Sequence, residues 1–429
     1  MSVATDSLLA RTTDSRPTGT IAVIGGGIVG VCCALYLQQS GYAVTLIDPA
    51  KPGDSTGKWS CGQLAVGEVV PLSKPGILKK IPGWLMDQEG PLALRPLSFP
   101  RMLPWMMRFL SCARQSRLVE IAHDLASLTG RVFDDYGPLL NGCSDKALLS
   151  QRPVMQVFDT AGGLEQDLHH AELPRSLGFA FEKLGAADIA DLEPALAGKF
   201  KHGILLSDWR FVSDTQGFIV ALTESFTARG GRRLLAGASR INEDNGRATG
   251  VELSNGESVA ADYVVVAAGV GSRKFFTHLG VNIPLEGVAG YQVLLTDPGI
   301  ALRHSVIYAD GGFCLAPMTR GLQVGGTIEF AQRDAAPNFE RATIILNKTK
   351  RIFPELRTQE QQLGVGYRPL LPDTKPVIDR TRKLKNVVLA TGHGQLGLTL
   401  AATTGRLVTD LISGSKPPVD LAPFGAYRF

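Results

Sequence analysis

The sequence predicts an α/β fold in which a parallel sheet flanked by helices is combined with a second, mainly antiparallel sheet. Residues 20–48 read as a short apolar strand, a glycine turn, a helix and a second strand. Two further apolar runs that lead into glycine, residues 262–271 and 387–392, would add strands to the same sheet. Residues 288–330 hold repeated short strand patterns, which predict a separate antiparallel sheet around a substrate chamber.

The turn after the first strand has the spacing G-x-G-x-x-G, with Gly25, Gly27 and Gly30. Gly25 lets the chain turn sharply, and Gly27 lets the backbone approach a pyrophosphate on the amides that open the helix. Gly30 lets the helix lie close to the sheet, and Asp48 can accept hydrogen bonds from both ribose hydroxyls, which favours FAD or NAD over a 2′-phosphate. Five residues of the turn are therefore predicted to bind a dinucleotide: Gly25, Gly27, Ile28, Val29 and Gly30.

Composition and charge narrow the class of protein. A chain of 429 residues, 44% hydrophobic and 20% charged, is long enough for two domains with their own cores. The net charge of +4 gives no reason to expect a nucleic-acid partner. The cysteines and histidines show no metal-ligand spacing, so no metal site is predicted. Cys32 and Cys33 lie inside the first helix and are expected to be core thiols, and the six cysteines together are expected to be reduced, as in an intracellular protein.

Two stretches bear on targeting and membranes. Residues 1–19 lack the cationic start and apolar core of a signal peptide, and they are expected to form a loose tail. Residues 102–114 crowd apolar side chains between arginines. This segment is either a helix buried on one face or a surface that meets a membrane. A cytoplasmic protein is expected, with peripheral contact at the inner face of the cell membrane as an open alternative.

The remaining elements follow from local patterns. Residues 233–260 predict a small antiparallel meander with a hairpin turn at Asn255-Gly256, and residues 203–212 predict a strand. Asp214 is a candidate N-cap. Helical spacing predicts helices over residues 118–136, 186–192, 215–229, 338–352 and 394–412.

The C-terminal part holds the most specific motifs. Residues 366–369 read G-x-R-P, residues 372–376 read P-D-x-x-P, and the strand over residues 387–391 runs into G-H-G-x-x-G and a helix. Together with Gly62-Gln63, Gly290-Tyr291 and the strand over residues 325–330, these motifs resemble the D-amino-acid dehydrogenase branch of the glycine oxidase/D-amino-acid oxidase flavoproteins. The resemblance covers nearly the whole chain from Thr20 onward.

The resemblance implies a two-dinucleotide-binding (Rossmann-like) FAD domain with an inserted α+β substrate domain built on a mainly antiparallel sheet. We assign residues 20–95, 210–275 and 365–429 to the FAD domain, and residues 96–209 and 276–364 to the substrate domain. In such flavoproteins a strand that ends like Ala267-Ala268-Gly269 lies beside the first strand and closes over the FAD. Further FAD contacts are thus expected at Asp48, Ser60, Gly62, Gln63, Ala268, Gly269, Gly392, Gly394, Gln395 and Gly397.

The resemblance also implies a reaction. FAD would take a hydride from the Cα of a D-amino acid, and water would hydrolyse the imino acid to a 2-oxo acid and ammonia. Arg368 would hold the substrate carboxylate, because a guanidinium can bind both oxygens; the alternative is an ordinary surface ion pair. Tyr291 would either add a hydrogen bond to the carboxylate or only pack. His393 would lie at the flavin pyrimidine edge or be a core histidine.

Departures from the family pattern bear on the substrate. Gly394 and Gln395 follow His393 where glycine oxidase-type members carry a second arginine. Ser60-Cys61 stands where D-amino-acid dehydrogenases usually show Asn-Ala, and Leu398 stands where they show Trp. The substrate range is therefore expected to differ from the D-alanine type, and a cyclic D-amino acid such as D-proline or a hydroxy-D-proline is one candidate. The expected electron acceptor is a quinone or another carrier; the alternatives are a glycine/sarcosine-type or D-amino-acid oxidase that reduces O2, and a non-catalytic FAD subunit.

Overall fold

The computed structural model describes residues 18–73, 89–90, 92–95, 99–141, 143, 148–330 and 335–429. The strands, numbered in chain order, are β1 (Thr20–Ile24), β2 (Ala43–Asp48), β3 (Gln63–Leu64), β4 (Leu92–Leu94), β5 (Leu149–Ser150), β6 (Val154–Phe158), β7 (Glu182–Gly185), β8 (His202–Leu206), β9 (Arg210–Val212), β10 (Arg232–Leu235), β11 (Ala238–Asp244), β12 (Arg247–Leu253), β13 (Ser258–Ala260), β14 (Tyr263–Val266), β15 (Glu286–Leu295), β16 (Val306–Tyr308), β17 (Phe313–Met318), β18 (Gly321–Gly325), β19 (Ile328–Phe330), β20 (Gln361–Leu370), β21 (Val377–Arg380) and β22 (Val387–Thr391). The helices are α1 (Ile28–Gln39), α2 (Phe99–Ser111), α3 (Gln115–Thr129), α4 (Val132–Leu140), α5 (Ala161–Ser176), α6 (Ala186–Leu192), α7 (Thr215–Ala228), α8 (Arg273–Leu279), α9 (Glu340–Ile352) and α10 (Gly397–Ser413).

A six-stranded sheet holds the first unit, with the strand order β10-β2-β1-β14-β22-β21. The pairs from β10 to β22 are parallel, and only β21 at the edge is antiparallel. In register, Ile24 lies opposite Val266, and Val266 lies opposite Leu389. Three distant segments of the chain therefore form one sheet, as the α/β prediction required.

Helices α1 and α10 pack closely on one face of this sheet. A Cβ on Gly405 of α10 would lie 2.7 Å from the backbone carbon of Cys32, so the glycine is what lets the two helices approach. Cys32 and Cys33 are fully buried in this core. The prediction that they are core thiols is confirmed.

The second sheet is larger and mainly antiparallel. Its order is β4-β19-β15-β18-β17-β16-β6-β8-β7, and β20 pairs with the other edge of β15. The pairs β16–β6 and β19–β4 are parallel. Strand β20 pairs with β15 from Gln361 to Leu370, so this sheet extends past the domain boundary that we predicted at residue 365. The residue limits of the two domains otherwise stay a prediction.

Several local predictions differ from the structure at their ends. Residues 232–235 form β10 of the parallel sheet, so the predicted meander is shorter and consists of β11, β12 and β13. The helix expected over residues 118–136 is two helices, α3 and α4, which are separated at Gly130. The strand expected over residues 203–212 is likewise two strands, β8 and β9. The N-cap is confirmed, since the Asp214 carboxylate accepts a hydrogen bond of 2.9 Å from the Gly217 amide.

Helix α2 covers most of the arginine-flanked apolar stretch. Met102 and Trp105 are buried against Val288 and Leu370, and the Trp105 indole donates to the carbonyl of Pro284 at 2.9 Å. The opposite face leaves Leu103 45% and Met107 61% exposed. One face of the stretch is therefore buried, as the first alternative required.

Within the part of the chain described here, every helix is too short or too polar to cross a bilayer. Most of the expected N-terminal tail, residues 1–17, lies outside the described residues.

Candidate active site

A cavity of about 700 Å³ lies between the parallel sheet and the antiparallel sheet. At one end its walls are the β1–α1 turn, Asp48 and the end of β14. At the other end they are strands β15, β17 and β20. Between the two ends, the wall is completed by the short helical turn of residues 394–396 and the start of α10. The cavity therefore joins the glycine motif to the G-x-R-P strand.

The glycines of the β1–α1 turn have separate roles. Gly25 has a φ of +111°, and a Cβ there would lie 2.4 Å from the carbonyl oxygen of Ala267. A Cβ on Gly30 would lie 1.8 Å from the oxygen of Gly25, so Gly30 serves packing and does not line the cavity. At Gly27 the nearest protein atom, Ser55 Oγ, would be 3.9 Å away, so the missing side chain leaves space for a ligand. A pyrophosphate fits this space beside the uncapped start of α1.

Asp48 lines the cavity at the end of β2 and also holds the turn together. Its Oδ2 accepts a hydrogen bond of 2.6 Å from the Gly26 amide, and its Oδ1 accepts one of 2.7 Å from the Ala50 amide. A carboxylate oxygen has two lone pairs, so the remaining ones can accept ribose hydroxyls. The structural role of this carboxylate was not part of the sequence prediction.

The end of β14 lies beside the turn. Ala267 donates its amide to the carbonyl of Ile24 at 2.8 Å, which brings Ala268 and Gly269 to the cavity wall. Thr391 donates its hydroxyl to the Gly269 carbonyl at 3.0 Å and ties this wall to β22. The strand that was expected to lie beside β1 does so.

His393 lines the cavity but is only 3% exposed. Its Nε2 lies 2.9 Å from the hydroxyl of Thr404. Burial lowers the pKa of His393 to about 4, so the ring is neutral near pH 7. Its neighbours Gly394, Gln395 and Gly397 also line the cavity.

The loop of residues 60–63 leads into β3, which pairs with β9. Ser60 and Gln63 line the cavity, whereas Gly62 does not. A Cβ on Gly62 would lie 2.2 Å from the carbonyl oxygen of Val212, so this glycine permits the close approach of β9. Gly392 is also outside the lining, and a Cβ there would lie 2.3 Å from the side chain of Leu371.

Arg368 reaches the cavity from β20. Its Nη1 donates to the carbonyl of Thr327 at 3.2 Å, and the guanidinium lies over Gly290, where a Cβ would be 2.0 Å from Nη1. Burial lowers the pKa of Arg368. In the ranges of the chain that the structure describes, no carboxylate forms an ion pair with it. The guanidinium is therefore a cation at the cavity wall that has no counter-ion among these residues.

Tyr291 does not lie where the carboxylate-binding alternative needs it. Its neighbours Gly290 and Gln292 line the cavity, and side chains alternate along a strand, so Tyr291 points to the other face of the sheet. Its hydroxyl donates to the carboxylate of Glu329 and accepts from the Asn338 amide. Burial raises the pKa of Tyr291 to about 12. The packing alternative agrees with this position.

Sequence reasoning did not assign several lining residues to the site, among them Gln292, Cys314, Trp59 and Lys274. Gln292 stands next to a residue of the Gly290-Tyr291 motif, and this neighbourhood was the available signal. Cys314 and Lys274 carry no such signal, because only the fold brings β17 and α8 to the cavity.

Comparison with known proteins agrees with this architecture. The family model of the FAD dependent oxidoreductases of the DAO type matches residues 20–411. A D-amino-acid oxidase of Bradyrhizobium diazoefficiens is 33% identical over 416 residues, which are 95% of this chain and 98% of that one. A D-amino acid dehydrogenase of Xanthobacter autotrophicus is 30% identical over 435 residues, which are 95% of this chain and 99% of that one.

Solved structures give the same fold at low identity. Glycine oxidase of Geobacillus kaustophilus superimposes with a TM-score of 0.72 at 19% identity, over 96% of this chain and 100% of that one. L-proline dehydrogenase of P. horikoshii superimposes with a TM-score of 0.70 at 18% identity, over 97% of this chain and 98% of that one. The family match covers most of the chain and explains the glycine turn, the cavity and the G-H-G-x-x-G segment together. This chain is a member of the DAO family of FAD-dependent oxidoreductases.

Proposed function

We propose that the protein oxidises a D-amino acid at Cα to the imino acid, which water hydrolyses to a 2-oxo acid and ammonia. The observation that carries this proposal is Arg368, a cation at the cavity wall for which the described residues supply no carboxylate counter-ion. Bound FAD supplies the hydride acceptor. The residues of the chain bind and orient the substrate, and they hold the cofactor.

The dinucleotide part of FAD would be held at the first end of the cavity. The pyrophosphate would occupy the space at Gly27 and contact the amides of Ile28 and Val29. Asp48 would accept the ribose hydroxyls, while Ala268 and Gly269 would cover the other side. Gly25 and Gly30 act indirectly, because they shape the turn.

Arg368 would hold the substrate carboxylate. The guanidinium has lost hydration, and in the described part of the chain it has a carbonyl as a hydrogen-bond acceptor but no carboxylate, so an arriving substrate carboxylate would supply a counter-charge. Both oxygens can bind to the planar fork, which fixes the orientation of Cα. The carbonyl of Thr327 holds Nη1 and thereby sets the direction of the fork.

His393 would support the flavin ring without carrying charge. Because the ring is neutral and bonded to Thr404, positive potential at this wall would come from backbone amides at the start of this turn, apart from the Leu396 amide, which is donated to the His393 carbonyl. Amides that point at one atom stabilise negative charge that develops there. Ser60 and Gln63 would face the flavin ring from the opposite loop.

The D configuration of the substrate is supported by the names of the two relatives at 30% identity or more, a D-amino-acid oxidase and a D-amino acid dehydrogenase. A cyclic side chain, as in D-proline, stays a candidate. Electrons would pass to a quinone or another carrier, with O2 as the alternative acceptor. Exposed Leu103 and Met107 on α2 support peripheral contact with a membrane surface.

The test is an anaerobic titration of the purified holoenzyme with the D and L enantiomers of alanine and proline. We expect the flavin absorbance to be bleached by at least one D enantiomer at concentrations where its L partner has no effect. Bleaching by the L enantiomers alone would refute the proposed configuration. Absence of bleaching by a broad panel of amino acids would refute the proposed reaction. Reoxidation by air compared with a water-soluble quinone then identifies the class of acceptor.

A further inference from the structure

Two cysteines face the substrate end of the cavity from different elements. Cys61 lies in the loop that follows the short turn Thr56–Trp59, and Cys314 lies on β17. The Cys61 thiol donates to Oε1 of Gln292 at 3.6 Å. Gln292 and Cys314 both pair with Gly325, from β15 and β17 on its two sides. Since Gly325 has no side chain, the side chain of Gln292 lies over it. Cys61, which is bonded to Gln292, and Cys314, which lies opposite Gly325, therefore face each other beside this glycine.

The two thiols interact with each other and with the same neighbours. Cys314 Sγ lies 4.0 Å from Oε1 of Gln63, two residues after Cys61. The nearby Cys61 thiol and the charge of Arg368 lower the pKa of Cys314, whereas the nearby Cys314 thiol and burial raise the pKa of Cys61. The pair therefore combines a thiol that ionises more readily with a neighbour that keeps its proton, which is the arrangement of an attacking and a resolving cysteine.

The other cysteines lack this setting. Cys32 and Cys33 are fully buried on α1, and Cys112 and Cys143 are buried elsewhere in the fold. Of the six cysteines, only Cys61 and Cys314 line the cavity. A small oxidant that enters the cavity would therefore reach these two thiols rather than the other four.

We propose that Cys61 and Cys314 are a redox-active dithiol, a modification site at which a hydroperoxide forms a disulfide across the substrate end of the cavity. The Cys314 thiolate attacks one peroxide oxygen, the O–O bond breaks, and the leaving hydroxide takes a proton to become water. The Cys61 sulfur then attacks the sulfur of the resulting sulfenic acid and releases a second water. Two thiols and one hydrogen peroxide give one disulfide and two waters, so the sulfurs lose the two electrons that the peroxide gains.

The new bond changes the cavity wall beside Arg368. It draws Cys61 away from Gln292 and ties the loop of residues 60–63 to β17. Because a displacement of about 1 Å at a substrate-positioning wall costs up to about 100-fold in rate, we expect kcat/KM to fall by about tenfold or more. This expected loss rests on the proposed function, whereas formation of the disulfide does not.

The experiment treats the holoenzyme with hydrogen peroxide, alkylates the remaining free thiols and maps the peptides by mass spectrometry without reduction. We expect a linked peptide pair that contains Cys61 and Cys314, with a mass lower by two hydrogens, and its disappearance after dithiothreitol. Cys61→Ser and Cys314→Ser should each abolish the link. The matched control Cys112→Ser alters a buried thiol away from the cavity and should keep it.

Two outcomes would overturn the proposal. One is a wild-type protein in which Cys314 proceeds to the sulfinic acid without any link to Cys61. The other is a link that involves a different cysteine. For the activity, kcat/KM of each variant is measured before and after treatment with peroxide. A loss of kcat/KM that dithiothreitol reverses should occur in Cys112→Ser but not in Cys61→Ser. If the protein oxidises no amino acid, the proposed function is wrong, whereas the linked peptide still tests whether Cys61 and Cys314 form a disulfide.

Discussion

The two ends of the cavity differ in whether backbone or side chains form most of the wall. The dinucleotide end is formed mainly by backbone, namely a glycine turn, the start of α1 and the end of β14, with Asp48 as its charged side chain. The substrate end is formed by side chains of the antiparallel sheet, among them Arg368, Gln292 and Cys314. A backbone site needs a fixed pattern of glycines along the chain, whereas a side-chain site can be assembled from any strands that the fold brings together. This difference decides which end can be recognised from sequence and how each end should respond to mutation.

The largest expected effect is at the substrate end. Arg368→Ala removes the cation that would hold the carboxylate, and loss of one partner of a buried charge pair costs about 4 kcal/mol, or about 1000-fold in kcat/KM. The change should appear mainly as a higher KM in steady-state assays with the best D-amino acid. Arg368→Lys keeps the charge but loses the planar fork, so its KM should lie between those of the wild type and Arg368→Ala. An unchanged KM in Arg368→Ala, with FAD bound, would remove Arg368 from the substrate site.

The next effect tests the dinucleotide end. Gly27→Val places a side chain in the space that the protein leaves open, so it should weaken FAD binding by about 3 kcal/mol or yield apoprotein. Flavin content after purification and the Kd for added FAD measure this. The apoprotein should still fold, because the nearest protein atom to the added Cβ is 3.9 Å away. A matched variant, Gly30→Ala, should instead lower the stability of the apoprotein, since its Cβ would lie 1.8 Å from the Gly25 oxygen. A fully loaded, yellow Gly27→Val protein would contradict the pyrophosphate position.

His393 lies where the two ends meet and should make stability depend on pH. Its pKa rises from about 4 in the folded protein to an ordinary value near 6.5 in the unfolded chain. Between about pH 6.5 and 4 the unfolded chain binds a proton at this residue and the folded protein does not. The contribution of the neutral His393 to the free energy of unfolding is therefore complete above pH 6.5 and is lost as the pH falls toward 4. The full loss is up to about 3 kcal/mol.

Urea unfolding at pH 7 and pH 4.5 in saturating FAD measures that loss. The non-titrating variant His393→Gln should lose less stability between the two pH values than the wild type. Equal losses in the two proteins would show that His393 is not held neutral by burial.

The smallest effect is expected behind the substrate end. Tyr291→Phe removes the hydroxyl that bridges Glu329 and the Asn338 amide, so the free energy of unfolding should fall by about 1–2 kcal/mol. The KM for the amino acid should change less than about twofold, because the hydroxyl does not line the cavity. A KM raised as strongly as in Arg368→Ala would mean that Tyr291 turns toward the substrate after all.

The comparison also explains what sequence could predict. The glycine spacing, Asp48 and the G-x-R-P and G-H-G-x-x-G segments are local, so they pointed to the family and to most of the cavity wall. Tyr291 shows the limit, because a motif position does not say which face of a strand a side chain takes. Gly62 and Gly392 show another, since a glycine that permits close packing looks the same as one that contacts a ligand. Cys314 could not be found at all, because its neighbours in space are Gln63 and Gly325, which come from other segments of the chain.

The order of strands in the parallel sheet has a consequence for how the protein is made. Thr20 is hydrogen-bonded to Asp262, 242 positions along the chain, and β14 is completed by β22 near the C-terminus. Contacts between such distant positions form slowly, and during synthesis on the ribosome the apolar β1 and α1 emerge long before their partners. We therefore expect the nascent chain to need chaperones or temporary local contacts until β22 has emerged, and we expect a chain truncated before β22 to aggregate rather than to form a smaller enzyme.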